Sequence, residues 1–279
     1  MSFAREVLAA ARLDFGEVRR SRWLAFATAV YALLAGVLVL VGMRESSVLG
    51  FTGMGRVMLS FAHVLLLVLP LLALSATTQV VNRARDDGTI ELLFSHPLSR
   101  SAYLVALTFT RYTVLALPLV LLLVAMGVIA RLVVHEEVPW VMLGRSIAVS
   151  CALLWAFVGI GLAVSVETRN QAKAVVLGLV FWALGVLLLD LALVGLMLEW
   201  RVDARALFVL ASLNPVQAAR VALLSGLEPD LGTLGPVGFY LSHTLGPRAL
   251  YALGLAWPTA VGTLGWLWAF SGWKRGDLV

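Results

Sequence analysis

The sequence is poor in the residues that carry most enzyme chemistry. It has a single cysteine, Cys151, so no intrachain disulfide can form and no thiolate metal cluster can be built. Its four histidines, His63, His96, His135 and His243, stand far apart, and none has an acidic or thiol partner at ligand spacing. No Gly-x-x-x-x-Gly-Lys-Ser/Thr run is present, so the chain cannot cradle a nucleotide in the usual way. No nucleophile–base pair stands out either. Charge is scarce, with 13% of residues Asp, Glu, Lys or Arg against about 25% in soluble domains. We therefore expect no catalytic residue, no metal and no cofactor bound by this chain.

What the sequence has is apolar surface. A water-soluble fold of 279 residues could not hide a composition that is 61% hydrophobic, whereas lipid-facing positions need no polar cover. The chain reads as an all-α membrane protein. Six apolar stretches reach the roughly 20 helical residues that a hydrocarbon core of about 30 Å requires. They run about Trp23–Met43, Arg56–Val81, Ala102–Ala130, Ser146–Val166, Ala174–Leu198 and Ala249–Phe270. The third is longer than a span needs, so it either tilts or continues past the bilayer. Met54, Met58, Met126, Met142 and Met197 are scattered through these stretches as gap-filling core residues rather than a metal relay.

The net charge of +5 sits at the ends of apolar runs rather than along one face. It is an orientation signal and not a nucleic-acid footprint. With the N-terminus inside, the inner segments hold Arg5, Arg12, Arg19, Arg20, Arg22, Arg83, Arg85, Arg100, Arg169, Lys173, Lys274 and Arg275. The two short outer loops hold Arg44, Arg56, Arg131 and Arg145. Both termini are thus expected in the cytoplasm of a multi-pass protein of the cell inner membrane. The arginine-rich start lacks a small-residue cleavage site after a short apolar core, so no cleaved signal peptide is read there. Trp23, Trp140, Trp200 and Trp273 fall near the expected interfaces, where indole rings anchor.

Two regions outside the spans have recognisable patterns. In residues 2–20, Phe3, Val7, Leu8, Ala11, Phe15 and Val18 share one side of a helical wheel, with Arg5, Arg12, Arg19 and Arg20 opposite. That is an amphipathic helix lying on membrane lipid, basic side toward anionic headgroups. Residues 199–248 form the largest water-facing piece and are broken by Asn214-Pro215, Gly226, Pro229, Gly235, Pro236 and Pro247. This segment reads as an outer re-entrant or surface hairpin, with Leu207–Leu224 partly helical.

The most informative stretch is the inner loop over residues 82–101. Asp86, Asp87 and Thr89 precede Ile90-Glu91-Leu92-Leu93-Phe94, as helix N-terminal chemistry prefers, with Gly88 as a break. Pro97 then stops the helix. Leu92, Leu93 and Phe94 are costly to leave bare in a polar loop. The spacing allows two outcomes equally, docking on a partner or packing on the protein's own spans.

The run Arg85-Asp86-Asp87-Gly88-Thr89-Ile90-Glu91-Leu92-Leu93-Phe94, followed by Pro97 and Ser99-Arg100, resembles the coupling loop of type 2 ABC exporter permeases. The N-terminal surface helix, the six spans and the tail Trp273-Lys274-Arg275-Gly276-Asp277-Leu278 resemble that family too. The resemblance implies a homodimer and a separate cytoplasmic ATPase that holds the ATP and Mg. It gives Asp86, Asp87, Gly88, Thr89, Glu91, Leu92, Leu93 and Phe94 the role of an ATPase-coupling surface. Leu213-Asn214-Pro215-Val216-Gln217-Ala218-Ala219-Arg220 resembles the branch that serves nitrous oxide reductase maturation, with Asn214, Pro215 and Arg220 in the segment facing a periplasmic partner.

Three ionisable residues fall within expected spans, where they are costly and are functional candidates by default. Asp190 lies toward the outer end of the fifth, and a structural hydrogen bond competes there with substrate contact. Arg111 lies near the inner end of the third, where snorkelling to headgroups competes with a buried role. His63 in the second reads as a structural bond. Pro70, Pro118 and Pro258 each permit a bend within a span. The alternatives to this branch are a permease for lipid, drug or polysaccharide export, an ion-coupled secondary transporter using Asp190 and Arg111, and an intramembrane enzyme.

Overall fold

The structure, a computed structural model, describes residues 2–20, 22–49, 53–135, 138–188, 212–225 and 246–275. Side chains are described within these ranges except at 38–49, 53–63, 133–134 and 188. Every regular element among the described residues is a helix. We number them α1 (Phe3–Arg20), α2 (Trp23–Leu49), α3 (Gly53–Thr77), α4 (Val80–Asp86), α5 (Thr89–Phe94), α6 (Arg100–Ile129), α7 (Trp140–Glu167), α8 (Gln171–Ala183), α9 (Pro215–Leu224) and α10 (Gly246–Arg275). Wider π turns extend α6 over Ala130–Val134 and α8 over Leu184–Leu188.

Among the described residues, three segments are long and apolar enough to cross a membrane: Val64–Asp86, Arg100–Leu132 and Trp140–Glu167. Trp23–Val37 and Gln171–Leu187 are shorter apolar helices. The second apolar stretch, expected to end at Val81, instead passes through a turn at Thr78-Gln79 into α4. The longer third stretch is one helix with Pro118 buried inside it.

Helix α7 is the centre of the bundle and packs on α10, α3, α6 and α9. A larger share of α7 than of α6 is buried, so α6 lies at the rim. On α6, Leu117, Leu121, Val124 and Val128 form an exposed stripe at i, i+4, i+7 and i+11. In lipid such a stripe is solvated by acyl chains and needs no protein cover. Glycines close the seam between α7 and α10. A carbon added at Gly159 would run into the Gly262 carbonyl, and one at Gly262 would stand 2.5 Å from the Trp155 carbonyl oxygen. Backbone contact of this kind is how helices associate where no hydrophobic effect drives them.

Helix α9 departs from the water-facing expectation. Val216, Gln217, Ala218, Ala219, Val221, Ala222, Leu223 and Leu224 are all buried, against α10, α7 and α3. Its small residues allow the approach, since a carbon at Gly254 of α10 would meet the Ala222 methyl. Helix α9 therefore packs into the bundle, while Leu213 just before it and Pro247 and Arg248 at the start of α10 are exposed.

Candidate coupling surface

Helix α4 is fastened to the end of α7 by side chains that replace missing backbone partners. The Val81 N–H donates to Ser165 Oγ at 3.0 Å, and Asn82 Nδ2 donates to Thr168 Oγ1 at 3.0 Å. Arg85 Nη1 donates to the Thr168 carbonyl at 3.2 Å and to Asn82 Oδ1 at 3.3 Å. Ser165, Thr168 and Asn82 are buried, so each bond is shielded from competing water. One step further out, Gln171 Nε2 donates to Asp86 Oδ2 at 2.6 Å.

The chain then reverses at Gly88, which has φ +67° and connects α4 to α5. Asp86 and Asp87 precede α5 as expected, and Gly88, the expected break, holds its N-cap position with no side chain capping it. The reason is steric, because the left-handed backbone at that position favours glycine. Helix α5 lasts six residues and ends before Pro97. Ile90 is 2% exposed and belongs to the core. Leu93 and Phe94 are half-buried against the same core. Phe94 meets Tyr103 and Trp273 with ring centroids 6.1 and 6.2 Å away, and Trp273 Nε1 donates to the Arg100 carbonyl at 2.9 Å. Leu93 and Phe94 thus contribute to the protein's own packing, one of the two outcomes that the spacing allows. Leu92 is 72% exposed, and Asp86, Asp87 and Glu91 of the same loop are exposed too. Thr89 is half-buried at the start of the helix.

Helix α1 supports this end of the bundle from the side. Glu6 Oε2 accepts from the Ser99 N–H at 3.0 Å, and hydrogen bonding from the Ser99 hydroxyl, with that N–H, holds the Glu6 carboxyl below its usual range. Ser99 in turn caps α6 by accepting from the Ala102 N–H at 3.3 Å. Deeper in, Arg111 Nη2 donates to Asp14 Oδ1 at 2.7 Å, with Glu17 Oε1 at 3.7 Å. The Arg111 and Asp14 side chains are 8% and 7% exposed. Arg111 is therefore paired inside the protein rather than snorkelling. Burial pushes the Asp14 carboxyl up to about 6, outweighing the Arg111 charge that pulls it down. Neither Asp14 nor Glu17 was foreseen as its partner. A trace existed in the sequence, because Asp14 interrupts the otherwise apolar stripe Ala10–Asp14–Val18.

The remaining sequence candidates fall elsewhere. Asn214 caps α9, its Oδ1 accepting from the Val216 N–H at 2.9 Å, with Pro215 in the first turn. Its Nδ2 donates to the Gly185 carbonyl at 2.6 Å, a group inside the π turn that extends α8. Arg220 lies half-buried on α9, away from α4 and α5. Asp190, the side chain of His63 and the tail residues Gly276, Asp277 and Leu278 lie outside the described residues. No group of three His, Cys, Asp or Glu side chains among the described residues converges on a metal-sized site.

Comparison with known proteins places this arrangement. The family model described as ABC-2 family transporter protein matches residues 8–272. The chain belongs to the ABC-2 transporter family. Two ABC transporter permeases are similar to it along most of their length. The probable ABC transporter permease protein NosY of Stutzerimonas stutzeri is 30% identical over 231 residues, covering 81% of this chain and 83% of that one. The protein of the same name from Pseudomonas aeruginosa is 28% identical over 224 residues, covering 78% and 81%. An ABC-2 permease is a membrane transport subunit, generally non-catalytic, and implies a cytoplasmic ABC ATPase as partner.

Proposed function

We propose that this chain is the NosY-like permease subunit of an ATP-driven ABC transporter in nitrous oxide reductase maturation. A separate cytoplasmic, NosF-like ATPase carries the ATP and Mg and grips α4–α5. The permease passes the resulting motion either to a solute or to a periplasmic, NosD-like partner near Asn214, Pro215 and Arg220. The full architecture is six spans with α1 as a surface elbow and α10 as the last span. Both termini face the cytoplasm, and two copies form a homodimer in the inner membrane.

One observation carries this reading. Leu92 is a large apolar side chain left exposed, with exposed Glu91 next to it in sequence and exposed Asp86 and Asp87 just before the helix, and the other apolar side chains of this short helix are anchored in the bundle. An exposed apolar knob with an acidic rim, held by a rigid base, fits a partner cleft that has an apolar floor and basic edges. The 30% identity to a NosY permease over 231 residues supports the particular branch.

The test is reconstitution with the ATPase subunit. Glu91→Lys places a cation on the acidic rim. It should lower permease-stimulated ATP hydrolysis while membrane insertion and melting stay as in wild type. Full coupling in that variant counts against the reading, as does transport by the purified chain without any nucleotide-binding companion.

A further inference from the structure

Between α1 and the ends of α2, α3, α4 and α6 lies a cavity of about 240 Å³, walled by Glu17, Trp23, Ser75, Gln79, Arg83 and Arg111 among others. A single water needs only about 10–15 Å³ of such space, so the cavity admits something larger. Its walls are rich in donors. Trp23 Nε1 and Arg111 Nε are both buried and have no hydrogen-bond partner. Arg111 spends Nη2 on Asp14, which leaves the Nε edge of its guanidinium for another group. Arg83 forms no ion pair among the described residues. Arg83 and Arg111 both wall this space, and the closed-off N–H groups of Trp23 Nε1 and Arg111 Nε would open onto a bound group by side-chain movement; that donor set matches an oxyanion, and arginine suits the spread oxygens of a phosphate.

The surroundings indicate which phosphate. Helix α1 exposes Phe3, Leu8, Leu13 and Phe15 as well as Arg5 and Arg12, the pattern of a helix at headgroup depth. Tryptophan favours the same level. Glu17 in the wall disfavours a second negative charge, so a singly charged diester fits better than a doubly charged monoester. We propose that this cavity binds the phosphodiester of a phospholipid headgroup, with Arg111, Arg83 and the Trp23 indole N–H as donors. The headgroup would tie α1, α2, α4 and α6 together at the root of α4. Lipid content would then set how firmly α4 is seated, whatever partner α5 engages.

The experiment uses the purified chain in a sugar detergent free of phosphate, titrated with short-chain phosphatidylglycerol. Native mass spectrometry counts bound lipid and fluorescence follows melting. Saturable binding with a raised Tm is expected. Trp23→Phe and Arg83→Gln should each weaken apparent affinity about tenfold, the scale of one lost hydrogen bond to a charged group. Both should melt like wild type without lipid. Should Trp23→Phe melt early, Arg83→Gln decides, because Arg83 is exposed and lies outside the packed core. Competition by inorganic phosphate would keep the phosphate site but overturn the lipid as its source. Equal stabilisation by diacylglycerol, or unchanged affinity in the deciding variant, would overturn the proposal.

Discussion

Along the seam between α7 and α10 the helices touch through backbone, whereas α1 is held on α6 through a buried ion pair. Gly159, Gly262 and Gly265 bring the first two helices so close that a single added carbon has no room. The second contact consists of Arg111 and Asp14, one carboxylate oxygen without a partner, and a cavity alongside. Close glycine packing has one arrangement and fails when crowded. A charged contact can lose or gain a proton and can exchange a partner for a lipid or a neighbour. We read α7 and α10 as the fixed part of this permease and the α1–α6–α4 corner as the adjustable part. That corner is also where the exposed α5 surface is rooted.

The sharpest way to break the comparison is to remove one charge from the corner. Arg111→Met leaves Asp14 buried without its cation and should destabilise the purified protein by about 3 kcal/mol, read from reversible unfolding in mixed micelles. Adding Asp14→Leu should recover most of that loss, because no unpaired charge remains. Failure of the double variant to recover would mean that packing, not charge, holds the corner.

A more diagnostic effect of similar size concerns pH. The Asp14 carboxyl is raised from 3.8 to about 6 in the folded protein, so the folded state holds a proton that the unfolded chain releases. Its contribution is fully present below about 3.8 and is lost as pH rises to about 6. Relative to Asp14→Asn, wild type should lose on the order of 3 kcal/mol over that window and show no further relative change above it. Arg111 and Glu17 are the charged groups facing Asp14, so Glu17→Gln should move the window to lower pH. A flat difference across the range would contradict the burial described for Asp14.

Next in size is crowding of the glycine seam. Gly159→Val should cost about 2 kcal/mol through forced separation of α7 and α10. Gly36→Val on α2 serves as the control, since nothing lies within 4 Å of the added carbon, and it should be close to neutral. Equal effects at both sites would show that the seam is not the tight contact described.

Much of the scaffold was legible in the chain. The apolar runs marked α2, α3, α6, α7, α8 and α10 because helices in lipid need long uninterrupted apolar stretches. Gly88 and Pro97 bracketed α5 because both act locally on the backbone. What could not be read was pairing across the fold. Arg111 and Asp14 are 97 positions apart, and Val81 and Ser165 are 84 apart, so no local period links them. The division of Leu92 from Leu93 and Phe94 was equally hidden, because it depends on Tyr103 and Trp273 arriving beside Phe94. Burial of α9 was masked by its Asn-Pro start and the polar sequence around it, which read as a surface turn, whereas the helix itself packs on α10.

The central claim is that α5 offers one face to an ATPase and the other to its own bundle. Photo-crosslinking tests it most directly, with a photoreactive residue placed singly at position 92 and at position 90 in native membranes. Position 92 should capture the nucleotide-binding subunit, and position 90 should capture only this chain. Capture of the ATPase from position 90, or its absence from position 92 in an assembled and active complex, would contradict the account.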